Sequence, residues 1–128
     1  VVKAVNNQRP VNLDLRTIKL PLNAYVSILH RVSGVIIFLG IAVLLCMLDK
    51  SLASKEGFDE TKTLLSNPVI KFVVWGIISA LLYHLIAGIR HLLMDLGIGE
   101  SLEESFLASK VVLIVSSVAI VLLGVWIW

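Results

Sequence analysis

The chain has 128 residues, of which 58% are hydrophobic and only 16% are charged. A water-soluble domain of this size needs far more polar surface to cover its core, so that class is excluded. The net charge of +2 gathers into no basic patch, so no nucleic-acid partner is expected, and the single cysteine, Cys46, cannot close an intrachain disulfide.

Three uncharged runs, 32–48, 72–89 and 111–128, hold 17, 18 and 18 residues. With their flanks, each reaches the roughly 20 residues that carry a helix across about 30 Å of hydrocarbon. Unpaired backbone groups are not tolerated in lipid, so helices are the natural spanning form. The predicted fold is therefore all-α: one membrane-anchor domain, 1–128, whose three transmembrane helices form part of a membrane helical bundle.

In chain order, residues 1–20 have no helical periodicity, carry Pro10 with Pro21 just beyond, and are predicted to be an extended cytoplasmic segment. The first apolar run is too long, and starts too far along the chain, for the core of a secretory signal. Helix one is predicted over about 22–49, where Asp49 and Lys50 return to water. The segment 49–67 is polar, with a short interfacial helix possible over 59–65. Asn67 and Pro68 then make a start signal, an N-cap followed by proline at the first helical position. Helix two is predicted over about 68–96, stopping at Gly97 and Gly99. Ser101 and Glu104 fit a capping box that opens helix three, about 102–128.

Charge suggests an orientation. Lys3, Arg9, Arg16 and Lys19 precede the first span, and the loop after the second adds Arg90 and Lys110; Lys50, Lys55, Lys62 and Lys71 lie between the first two, diluted by four acids. Six against four favours a cytoplasmic N-terminus, with Trp126 and Trp128 as an aromatic anchor at the opposite face.

The costly residues are the polar ones near or within the spans. On helix one, Ser27, His30, Arg31 and Gly34 stand at i, i+3, i+4 and i+7, a single face. On helix two, His84, Gly88, His91 and Asp95 stand at i, i+4, i+7 and i+11, again a single face. Helix one enters the membrane where helix two leaves it, so both stripes share one side of the bilayer. His84 lies eleven residues before Asp95, about 16 Å along the axis and near mid-membrane. One polar pocket reaching inward to His84 would account for all these positions.

An ionisable group within a span is a functional candidate by default. For His84 the plain reading is a neutral histidine bonded to a neighbouring helix, and the functional one is an axial ligand to haem iron. Gly88, one turn on, leaves room for a flat macrocycle. His91 cannot share that iron, being about 10.5 Å further along the axis, so a second ligand comes from His30 or from a partner chain. His91 and Asp95 are equally readable as interfacial groups, and Arg31 either snorkels to phosphate or neutralises an anion such as a haem propionate or a reduced quinone oxygen. Ser27 beside Arg31 is a candidate donor to a carbonyl ligand. Tyr83 and Trp75 read as packing residues.

Arg9-Pro10, the stretch from Ser27 through His30 and Arg31 to Ser33, and "HLIAGIRHLLMDLG" from His84 to Gly97 resemble the two signatures of the cytochrome b subunit of succinate dehydrogenase, the larger membrane anchor of respiratory complex II. The resemblance covers essentially the whole chain. It implies partners: a flavoprotein subunit that oxidises succinate, an iron–sulfur subunit, and a second small hydrophobic anchor subunit. It also implies a haem b held between His84, as axial iron ligand, and a histidine of that second anchor, with His30, Arg31 and His91 about the propionates. Ser27 and Arg31 would bind ubiquinone, the substrate that receives the electrons. Chain length and the lack of a transit segment lead us to expect a bacterial inner membrane.

No catalytic residue for succinate is expected in this chain. It carries no dinucleotide fingerprint, and one cysteine cannot furnish the ligands of an iron–sulfur cluster. The rival readings are a cytochrome b anchor of a fumarate reductase, a purely structural membrane anchor, and a small proton or ion pathway on His30, Arg31 and Asp95.

Overall fold

The structure, a computed structural model, describes residues 13, 14 and 16–128. The segment 1–20 therefore falls mostly outside the described residues, as do Lys3 and Arg9-Pro10. Four helices follow one another: α1 (Leu22–Ala53, 32 residues), α2 (Lys55–Ser66, 12), α3 (Pro68–Asp95, 28) and α4 (Leu102–Ile127, 26). α1, α3 and α4 are long and apolar enough to cross a membrane, and each packs against the other two.

Local chemistry sets the helix ends. Asn67 caps α3 by accepting the amide of Val69 at 2.9 Å, with Pro68 in the first turn where its missing N–H leaves nothing unpaired. At the other end Gly97 and Gly99 adopt φ of +79° and +78°. The Ile98 amide donates to the Leu93 carbonyl and the Gly97 amide to that of Met94, a Schellman closure that only a left-handed residue at 97 allows. Ser101 caps α4 by accepting the Glu104 amide at 3.2 Å. The box is modified, because the Glu104 carboxylate accepts from the Ser101 hydroxyl at 2.7 Å.

Three expectations are corrected. α1 continues to Ala53, beyond the predicted 49, because Asp49 and Lys50 stay helical and Lys50 pairs with Glu60 of α2 at 2.6 Å. α2 begins at Lys55, capped by Ser54 through the Gly57 amide, four residues before the predicted start at 59. Gly57 marks that junction: a Cβ there would collide with the Lys50 carbonyl oxygen. Arg90 and Lys110, assigned to the loop after the second span, lie instead within α3 and α4.

The packing inverts the pattern of a soluble protein. Large apolar side chains such as Phe38, Leu85, Leu107 and Val125 are exposed, whereas Ser33, Ser79, Ser105, Ser109 and Ser116 are buried. Without a hydrophobic force between helices in lipid, small residues that let backbones approach are what association uses. Each spanning helix gives one apolar residue to the centre, Val26, Ala87 and Val112, with Tyr83, Ile86 and Leu113 against them. Far from that centre, the Trp75 indole donates to the Ile120 carbonyl at 3.3 Å and stacks edge-on to Trp128.

α1 and α3 pack tightly at Gly40, where an added Cβ would stand 2.6 Å from Ile77 Cγ2. Gly40→Ala is expected to lower the stability of the assembled protein by about 1–3 kcal/mol through overpacking. Ile77→Ala in the same chain should recover part of that loss, read as the thermal midpoint of single and double variants.

Candidate functional site

The sequence stripe on α1 and the stripe on α3 meet at His30 and His84. Their imidazoles stack with centroids 4.0 Å apart and planes 13° from parallel. His91, two turns beyond His84, meets the His30 ring edge-on at 5.3 Å. Small residues make this possible: a Cβ on Gly34 would stand 3.2 Å from His84 Cε1, and one on Gly88 would stand 3.5 Å from His30 Nε2.

His84 is oriented by a bond that also fixes its tautomer. Its Nδ1 lies 3.1 Å from the His30 carbonyl oxygen and 3.0 Å from the Ser33 hydroxyl, which itself donates to that carbonyl at 2.7 Å. A carbonyl can only accept, so Nδ1 carries the proton and Nε2 keeps its lone pair. An imidazole held this way, one nitrogen donating to backbone and the other free, is the arrangement of a metal-ligating histidine. Ser33 was not singled out in the sequence. Its signal was its spacing of three from His30, which a serine bonding back to its own helix imitates.

A cavity of about 370 Å³ opens beside these rings, lined by His30, His84, Leu85, Gly88, Ile89, His91 and Leu92. Within it His30 Nε2 is buried with no hydrogen-bond partner. A free His84 lone pair, an orphaned His30 nitrogen and apolar walls with a glycine gap suit the edge of a flat macrocycle bearing polar substituents. The residues fit a haem, with this chain furnishing one side of its pocket.

The single pocket expected from the stripes holds only part of them. Ser27, Arg31 and Asp95 do not line the cavity. Arg31 is exposed, because it stands about 100° round α1 from His30, which turns onto α3. Ser27 is half-buried and Asp95 exposed at the end of α3. The hydroxyl of Ser27 and the guanidinium of Arg31 bond to none of the described residues, and no hydrogen-bonded chain joins His30, Arg31 and Asp95 among them. Two residues read as packing do more. The Tyr83 hydroxyl donates to the Val26 carbonyl at 3.0 Å, as Trp75 does to Ile120.

A second polar cluster lies at the same end of the bundle and was missed. Arg90 is only 7% exposed and reaches α4, donating to the Ser105 carbonyl at 3.2 Å and to its hydroxyl at 3.0 Å. Asn23 of α1 donates to the same hydroxyl at 2.9 Å and accepts from Ser109 at 2.6 Å. The available signal was an arginine beside His91 facing a serine pair at i, i+4 on the next helix.

Three apolar helices, two of which line a cavity bearing three histidines, define a helical-bundle membrane protein. The family model for the succinate dehydrogenase/fumarate reductase transmembrane subunit matches residues 5–123. A succinate dehydrogenase cytochrome b556 subunit of Coxiella burnetii is 48% identical over 125 residues, 97% of this chain and 100% of the relative. That of Paracoccus denitrificans is 32% identical over 90% of this chain and 88% of its own, and a cytochrome b560 subunit of Reclinomonas americana is 29% identical over 85% and 79%. The chain belongs to the succinate dehydrogenase cytochrome b subunit family, and it is a multi-pass membrane anchor.

The orienting bond to His84 generates a test that needs no catalysis. Ser33→Ala leaves the His30 carbonyl as the only partner of Nδ1. The assembled complex should then lose haem in detergent about tenfold more readily than the parent, measured as b-type absorbance retained over time.

Proposed function

We propose that this chain is the haem-carrying anchor of a succinate–ubiquinone oxidoreductase, working with a flavoprotein, an iron–sulfur protein and a second small hydrophobic anchor in a bacterial inner membrane. The observation that carries the reading is the placement of His84, its Nδ1 3.1 Å from the His30 carbonyl oxygen and its ring lining a cavity shared with His30, Gly88 and His91. The three relatives are named as succinate dehydrogenase cytochrome b subunits, which favours succinate oxidation over the fumarate-reducing direction.

His84 would hold the haem iron, with Ser33 keeping its ring from turning. By the resemblance to its family, a histidine of the partner anchor would be the second residue holding that haem. His30 and His91, with Arg31, serve the propionates. A haem with two imidazole ligands has no open position and passes single electrons.

Ser27 and Arg31 serve the quinone. The Ser27 hydroxyl donates to a quinone carbonyl oxygen and hands it a proton drawn from the cytoplasmic side. The Arg31 guanidinium favours the negative charge that this oxygen gains on reduction, an effect larger in a low-dielectric site than in water. The soluble subunits meet the membrane at the end that carries both residues, with the N-terminus on the same side.

Two substitutions check these roles. His84→Ala should abolish most b-type absorbance in reduced membranes from cells making the whole complex; an unchanged spectrum removes His84 as ligand. Arg31→Ala should cut kcat/KM for ubiquinone roughly tenfold or more, while succinate oxidation with a soluble dye stays near the parental rate. An unaltered quinone response would leave a structural anchor as the better account.

A further inference from the structure

Arg90 is a cation almost wholly withdrawn from solvent, with its Nε unbonded and no carboxylate within ion-pairing distance among the described residues. An apolar side chain of similar length would fill that space without the desolvation penalty. What an apolar residue cannot do is reach across to α4 and donate twice to Ser105. The same Ser105 hydroxyl takes the Asn23 amide, so both its lone pairs are used. The other end of the Asn23 amide meets the hydroxyl of Ser109, which is 0% exposed and also reaches the Ser105 carbonyl at 2.9 Å. Arg90, Ser105 and Asn23 thus link α3, α4 and the first turn of α1 in one hydrogen-bonded chain.

Asn23 stands four residues before Ser27 on the same face of α1. Between them, the carbonyl of Val26, itself 1% exposed, accepts the Tyr83 hydroxyl. The turn leading into Ser27 is therefore held from α4 on one side and from α3 on the other. Among the described residues, Ser27 and Arg31 have no such partners of their own. Their positions are inherited from the backbone beneath them.

We propose that Arg90, Ser105 and Asn23 are positioning residues for the quinone site, fixing the first turn of α1 so that the Ser27 hydroxyl and the Arg31 guanidinium meet the quinone head group. The inference rests on the reading that Ser27 and Arg31 bind quinone. Misplacing a recognition group by a fraction of its hydrogen-bond length weakens binding of the substrate while leaving distant chemistry intact.

The test uses the assembled complex with a short-chain ubiquinone as acceptor. Ser105→Ala and Asn23→Ala each raise KM for the quinone about 3–10-fold, and the double variant is no worse than the weaker single, since the two act as one unit. Arg90→Gln raises KM further, and Arg90→Lys lies between it and the parent. Haem absorbance per complex and succinate oxidation with a soluble dye remain parental in Ser105→Ala and Asn23→Ala. A parental KM in either of those assembled complexes overturns the proposal, as does a fall in kcat alone, or a proportional loss of haem and both activities that marks an assembly role only. Arg31→Ala run in parallel separates the two ideas. If it too leaves the quinone response unaltered, the quinone-site reading fails; if it impairs that response while Ser105→Ala does not, only the positioning role fails.

Discussion

The close seam between α1 and α3 is the constraint on which the rest of this structure depends. It exists because Ser33, Gly34 and Gly40 on one helix and Gly88 on the other present almost no side chain where the backbones approach. Only at that separation can a histidine on α3 reach a backbone carbonyl on α1, and a histidine on α1 lie flat against it. In lipid, large apolar residues gain little by facing another helix rather than acyl chains, so contact surface and interhelical bonds decide the packing. Such bonds are individually modest, of order 1 kcal/mol, but in sum they set rotation and register as well as affinity.

Function and architecture therefore draw on the same few polar groups. The His30 carbonyl belongs to the α1 backbone, orients His84 and accepts from Ser33. The Val26 carbonyl takes Tyr83 at the point where the buried apolar centre begins. A residue that stiffens the seam is thus rarely neutral for the site. The outer faces, by contrast, are a continuous apolar surface broken at the ends by Lys71 over Trp128 and Lys110 over Phe106, cations resting on rings at the depth where chain and headgroup meet.

How much of this was legible varied with the kind of signal. Uncharged runs gave the three spans, and Asn67-Pro68, Gly97 and Ser101 gave their ends, because caps and left-handed closures depend on single residue types. Helical spacing brought His30, His84 and His91 to one place, since i, i+3, i+4 and i+7 positions must share a face. The same arithmetic assigned Ser27 and Arg31 to that cavity and was too generous, a stripe being wider than a ring. Arg90 was mistaken for a loop charge because its helix partner Ser105 is fifteen residues on, across a turn, and no one-helix pattern connects them. Serines in an apolar helix carried little information: back-bonding to the previous turn, seen at Ser116, and bonding across helices, seen at Ser33, look identical in one dimension. The start of α2 was missed because Gly57 counts against a helix until its packing on α1 is known.

The glycine closure at 97 and 99 bears on how α3 and α4 meet. With so few residues between them, α3 and α4 leave no length for a domain in the connection and form an antiparallel hairpin. That hairpin brings its own cross-link, the Trp75 indole on Ile120, and forms the Arg90 contact to Ser105 without help from α1. What α1 adds to this self-bonded hairpin is the His30 carbonyl, the backbone group that orients the imidazole of His84.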